Sequence, residues 1–296
     1  MEKKIIATFG GVQSQVGEFS VNRVLPNKFR RIVGPFFFLD HMLPLRFAAR
    51  EAAGPDGDFA HPHRGIATFT YLLSGEMEHY DSRGNHGIVG AGGAQWMNAG
   101  NGIVHDENPS TAFQSKGGLL HGLQFWVNLP ASKKAEAPEY LGVQSSDIPR
   151  IALPNGAGFL KVLIGEYDGE KSPVPTYSQQ FNYHVQLQPG ASAVIKITDG
   201  FQSAVFIPAG KILIDGLEQQ TGELLMLSDE GTQISLKNIS DNLADIMIFG
   251  GEPYTEPIAN HGPFVMNYEH EIPVAYSDFK SGKYGKIDYE KANATV

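Results

Sequence analysis

Along most of the chain apolar residues recur at every second position over short stretches, and glycine, proline, asparagine or serine closes each stretch. A period of two belongs to half-buried β-strands, whereas a period of 3.6 would mark amphipathic helices. Strands are therefore predicted over residues 5–12 and 16–24, around Gly17, and over 32–42, where Phe36-Phe37-Phe38 is too short an apolar run for a helix and reads as buried core. Further strands follow at 66–73, 77–81, 94–97 and 121–128. The turn residues Ser74-Gly75 and Ser82-Arg83-Gly84-Asn85 and the glycine clusters at 90–93 and 98–102 separate them. A helix is signalled from Pro273 towards Ser281, with Gly282 as its stop. The predicted fold class is all-β.

Gly65 and Gly75 recur 135 positions later as Gly200 and Gly210, which points to two copies of one β-unit. The polar stretch Pro130 to Pro138 reads as the exposed connection between them and divides the chain into residues 1–135 and 136–296. Where the first copy has His61 and His63, the second has Lys196 and Thr198, and no His or Glu lies between Gly231 and Leu243. The second copy is expected to be structural and free of metal.

The chemistry concentrates between His61 and Glu107. Residues two apart on a strand share a face, so His61 with His63, and His105 with Glu107, form two pairs of neighbouring side chains. If the intervening residues fold back as antiparallel strands, the pairs converge into a site for a divalent metal. A lone His-x-His is ordinary on a surface; the second pair is what carries the inference. Counting in twos from His61 continues the same face through Gly65, Ala67, Phe69, Tyr71 and Leu73, which places Ala67 and Phe69 inside. The opposite parity, Arg64, Ile66, Thr68, Thr70 and Leu72, is left to pack against another sheet. His79 and His86 read as surface residues.

Composition narrows the function classes. Lys and Arg number 23 against 32 Asp and Glu, a formal charge of -9, which disfavours binding driven by phosphate neutralisation. The glycines before His105 are not a phosphate loop, since no Gly-Lys-Ser/Thr follows them. Without cysteine there is neither a disulfide framework nor thiolate chemistry, and redox chemistry would have to reside in a metal. No apolar run approaches the ~20 residues that cross a bilayer as a helix, and the first residues carry no long apolar core, so the expected compartment is the cytoplasm.

Two β-units with the metal residues confined to the first resemble the bicupins, and the detailed match is to the pirin family, which includes bacterial quercetin 2,3-dioxygenases. The residues that carry it are His61-Pro62-His63-Arg64-Gly65, Thr70-Tyr71-Leu72-Leu73, Gln95-Trp96-Met97, Gly100-Asn101-Gly102-Ile103-Val104-His105, His121 to Pro130, Gly251-Glu252-Pro253 and Gly262 to Asn267. The resemblance implies two tandem cupin-type antiparallel β-barrels, a bicupin, with a short C-terminal helix. It also implies one divalent metal per chain, Fe(II) in the family, with Zn, Ni, Cu or Mn able to take its place. The implied ligands are His61, His63, His105 and Glu107. At position 67 the family generally carries Glu; Ala67 here removes an inward carboxylate and leaves room.

Fe(II) with three neutral imidazoles and a carboxylate would carry a net charge of about +1 and keep two octahedral positions open. The implied reaction is the opening of a flavonol such as quercetin by dioxygen, with Glu107 as proton acceptor. Phe37, Ala67, Phe69, Trp96, Leu119 and Phe264 are the expected lining of a slot for flat rings. The resemblance also covers nuclear pirins that act as iron-dependent regulators of transcription factors, so a protein partner is the alternative to a small aromatic substrate and dioxygen. A metal-assisted isomerase or hydrolase is the third possibility, because fold alone does not fix chemistry.

Overall fold

The computed structural model describes residues 1–290 and is built chiefly of antiparallel strands. The helix Glu271–Lys280 takes Pro273 into its first turn, where the missing N–H forfeits no helical hydrogen bond. A shorter helix, Thr111–Lys116, has no apolar period to announce it. Ser110 caps it, its Oγ accepting from the Phe113 N–H at 3.0 Å. Among the described residues no helix is long and apolar enough to cross a membrane.

The chain forms two compact units. One comprises residues 1–14, 21–41 and 146–254; the other comprises 15–20, 42–145 and 255 onward. A single cut at 135/136 therefore misses an exchange of ends. The first strand, Ile5–Phe9, pairs with Leu224–Leu227, whereas the C-terminal segment belongs with the histidine-bearing unit. A boundary read from turn residues follows the order of the chain, and strand pairing need not.

The two units repeat one strand order. A four-stranded sheet runs His61–His63, Ile103–Pro109, Glu76–Asp81, His86–Gly90, and its counterpart runs Ser192–Lys196, Gln233–Asn238, Lys211–Ile214, Leu217–Gln220. The seven-stranded sheets correspond in the same way. One begins Glu139–Val143, Ala94–Asn98, Ile66–Ser74, Gly118–Asn128, Phe36–Phe47; the other begins Ile5–Phe9, Leu224–Leu227, Gln202–Ala209, Ala244–Gly251, Gln180–Leu187. These are the paired double-sheeted barrels of a bicupin. In the unit around 146–254 the inward positions Ala193, Ile195, Ile197, Ile212, Ile234 and Leu236 are buried in one apolar cluster. Lys196 and Thr198, aligned with His61 and His63 by the glycine offset, are exposed.

In the other unit Leu72 packs with Met77, Val89 and Leu120 in a buried cluster, so the face of Ile66–Ser74 that carries Thr68, Thr70 and Leu72 is the inward one. This reverses the parity expected from His61. The chain leaves the short strand after His63, turns through Gly65 at φ +81°, and re-enters as a strand of the larger sheet at Ile66. A Cβ at Gly65 would lie 2.0 Å from the Val265 carbonyl oxygen, so the corner requires glycine on steric as well as conformational grounds. Crossing the corner shifts the alternation by one residue, and Ala67, Phe69 and Tyr71 fall on the opposite face.

Ala67 is 1% exposed, between Asn98 and Val127 on the neighbouring strands. Ala67→Glu is therefore expected to bury an unpaired carboxylate and destabilise the protein by about 3 kcal/mol or more, while the folded fraction keeps its metal content. Thermal denaturation and metal analysis of this variant decide the matter: an unchanged midpoint with altered metal content would return position 67 to the site.

Candidate metal centre

One face of the small sheet collects the polar residues. The register places His105 opposite His61 on one side and Asp81 on the other, Glu107 opposite His79, and Ile103 opposite His63. The rings of His61, His63 and His105 form a triangle, with centroids 4.8 Å apart for His61 and His63, 4.4 Å for His61 and His105, and 5.0 Å for His63 and His105. His63 and His105 are buried and His61 is exposed at the rim.

The hydrogen bonds fix which nitrogens face inward. His61 Nδ1 lies 2.7 Å from the Phe59 carbonyl oxygen and His63 Nδ1 3.2 Å from that of Pro263. A carbonyl only accepts, so each Nδ1 carries the proton and each Nε2 presents a lone pair. His63 Nε2 is buried without a hydrogen-bond partner, and the Nε2 atoms of His61 and His105 stand 3.0 Å apart. Burial, and then the neighbouring His61, holds His63 well below the usual imidazole range. Burial, then His61, His63 and His79, does the same for His105. Neutral rings with converging lone pairs are the donor set that a divalent first-row metal requires, so the residues fit the ion.

Glu107 is placed differently from the three rings. It forms a second potential ligand triangle with His105 and His79, its Oε2 standing 3.8 Å from His105 Nδ1. Its oxygens accept from Thr70 Oγ1 at 3.2 Å, Gln95 Nε2 at 3.3 Å and Gln124 Nε2 at 3.0 Å. Thr70 is opposite Gln95 on one neighbouring strand and Gln124 on the other, so these donors form one row across the large sheet. Tyr140 donates to Gln95 Oε1 at 2.9 Å, which turns the amide's NH2 towards the carboxylate.

His79 and His86 are not surface residues. His79 is 1% exposed, stacked on Tyr140 at 4.1 Å and 9°, with its Nε2 3.2 Å from Asp81 Oδ2. Burial raises the Asp81 pKa, but the hydrogen bonds from His79 and Asn85 outweigh it and hold the carboxyl below its usual range. His86 stacks on Tyr80 and lies 2.7 Å from Glu78. His79 sits two residues before Asp81 and opposite Glu107, and only the strand register, absent from the linear sequence, brings it to the site.

The expected aromatic lining is not what surrounds the histidines. Ala67 and Phe69 lie on the far side of their strand, and Trp96, in register with Phe69, shares that face. Phe37 belongs to the other compact unit, where Arg31 covers its ring at 5.5 Å. Leu119 is at the Gly75 end of its strand, about 17 Å along from Gln124. The Phe264 ring packs against Tyr276 and Tyr284 in the C-terminal core, although its neighbour Pro263 reaches His63. The aromatic ring at the triangle is Trp126, 5.0 Å from His63. It shares the inward parity of Gln124, which the pairing with Ile66–Ser74 sets and the linear sequence does not show.

The sequence model of the Pirin family matches residues 18–127, and that of the Pirin C-terminal cupin domain matches residues 182–285. A Pseudomonas aeruginosa protein named, provisionally, a quercetin 2,3-dioxygenase is 35% identical over 285 residues, 95% of this chain and 98% of its own length. Human Pirin is 35% identical over 246 residues, 81% of this chain and 82% of its own. The solved structure of a quercetin 2,3-dioxygenase from Acinetobacter baumannii superposes with a TM-score of 0.89 at 32% identity, covering 97% of this chain and 100% of that one. With both family models matched in order along one chain, and relatives a third identical over most of their length, the protein belongs to the pirin family.

Proposed function

We propose that the protein is a metal-dependent dioxygenase that opens a flavonol such as quercetin, with His61, His63, His105 and Glu107 as the ligands of one Fe(II) ion. The observation that carries this reading is the triangle of His61, His63 and His105, in which backbone carbonyls accept from Nδ1 of His61 and of His63, in a chain that parallels a quercetin 2,3-dioxygenase over nearly its whole length. A divalent metal held there supplies Lewis acidity towards a hydroxylated aromatic substrate and one-electron chemistry towards dioxygen.

The chain's own residues do the rest. Thr70, Gln95 and Gln124 orient the Glu107 carboxylate beside His105, where it can take the proton of a substrate hydroxyl. Trp126 offers a flat apolar surface next to His63. Similarity to human Pirin supports a second reading, an iron-dependent regulator that binds a protein partner.

Anaerobic loading with Fe(II), followed by dioxygen uptake against a panel of flavonols, separates the two. The first reading expects uptake matched to flavonol loss; none above the metal-free background would leave the regulator. His63→Ala and His105→Ala are each expected to eliminate stoichiometric metal while the chain remains folded, and near-full occupancy in either variant contradicts the ligand assignment.

The depressed pKa values of His63 and His105 add a pH dependence. Below about pH 6.5 the unfolded chain takes up protons on these rings that the folded metal-free protein refuses, so their contribution to stability is complete above that pH and is lost as the pH falls. The thermal midpoint of the metal-free protein should decline from about pH 6.5 downward, with a shallower slope in His63→Ala and His105→Ala. Parent-like slopes in both variants would place the titration elsewhere.

A further inference from the structure

Lys134 follows the short turn Ala131–Lys133, in the polar stretch that reads as an exposed connection. It is 3% exposed. Its Nζ donates to the Gly65 carbonyl at 2.6 Å, Asn128 Oδ1 at 2.6 Å and the Val265 carbonyl at 2.7 Å, which uses all three N–H donors of an ammonium. None of the three acceptors is a carboxylate. Taking a cation out of water for neutral acceptors alone is costly, and burial pushes this lysine down to about 7 against the opposing pull of Glu256 and Glu271.

The ammonium lies where two backbone segments meet. The Val265 N–H donates to the Arg64 carbonyl at 3.1 Å, and a Cβ at Gly65 would nearly touch the Val265 oxygen. Converging carbonyl dipoles repel unless a donor joins them, and Lys134 is that donor for Gly65 and Val265. The same two segments meet at the metal centre. His63 stands two residues before Gly65, Pro263 two residues before Val265, and the Pro263 carbonyl is the partner of His63 Nδ1.

We propose that Lys134 is a positioning residue of the metal centre: by tying the Gly65 and Val265 carbonyls to one ammonium, it holds the backbone frame in which the Pro263 carbonyl keeps the proton of His63 on Nδ1 and leaves Nε2 as the donor atom. Its effect on metal affinity rests on the metal reading above, whereas the tautomer is a property of the metal-free protein.

Lys134→Met tests this with two measurements, made at a temperature where circular dichroism shows the variant folded. Nitrogen-15 shifts of the His63 ring should report an Nδ1-protonated ring in the metal-free parent and a mixture of tautomers in the variant. The zinc dissociation constant should rise 10–100-fold, the range typical of losing an outer-shell partner. If Lys134→Met does not fold, Lys134→Gln, which retains two N–H donors, takes its place in both measurements. A lowered thermal midpoint with a parental tautomer and parental zinc affinity would make Lys134 merely stabilising and overturn the proposal. A parent that takes up no stoichiometric zinc, together with a tautomer change in the variant, would sink the metal reading and keep the positioning role.

Discussion

An imidazole has two nitrogens, and in the neutral ring a hydrogen bond donated by one leaves a lone pair on the other. Phe59 and Pro263 take the Nδ1 protons of His61 and His63, which aims both Nε2 lone pairs into the space reached by His105. Lone pairs at such separations repel, and a proton or a cation between them reverses the sign. Much of the surrounding structure keeps this arrangement in place. The sheet register sets the rings on one face, Gly65 gives the chain a corner at which to leave it, and the C-terminal segment delivers the Pro263 carbonyl.

The paired units show what that arrangement replaces. Where the strand order repeats, one interior face carries isoleucine and leucine and the other carries imidazoles, a carboxylate, amides and a threonine. A polar interior is stable only as a connected network, since a buried donor or acceptor left without a partner costs as much as a lost hydrogen bond or more. Tyr140, Gln95, Thr70, Gln124 and Glu107 form such a network, and Asp81 with His79 forms its neighbour. His63 Nε2, buried without a partner on the side where His61 and His105 converge, is a nitrogen that a ligand would complete.

Much of this was legible in the chain. Period-two patterning predicts the strands, Pro273 and Gly282 predict the C-terminal helix, and the spacing of His61, His63 and His105 predicts their meeting. What escaped depends on long-range pairing. Alternation counted through Gly65 fails because a corner resets it, which put Ala67 and Phe69 on the wrong face, and the faces of Trp96, Gln124 and Trp126 follow only from the pairing of their strands with Ile66–Ser74. His79 looks like a turn-flanking surface residue until strand Ile103–Pro109 lies beside it. Lys134 stands in a polar connection, and nothing local shows that carbonyls from two distant segments will enclose it.

The Pro263 carbonyl lies 200 residues beyond the histidine it orients. At synthesis rates of about 5–20 residues per second, the segment carrying His61 and His63 exists for about 10–40 s before its partner has been made. During that interval the histidines are ordinary ligands on an unfinished chain, and affinity alone, rising along the divalent series towards copper, would govern what they bind. The inward lone pair of His63, which depends on the Pro263 carbonyl, is therefore fixed in the completed chain and not in the nascent one.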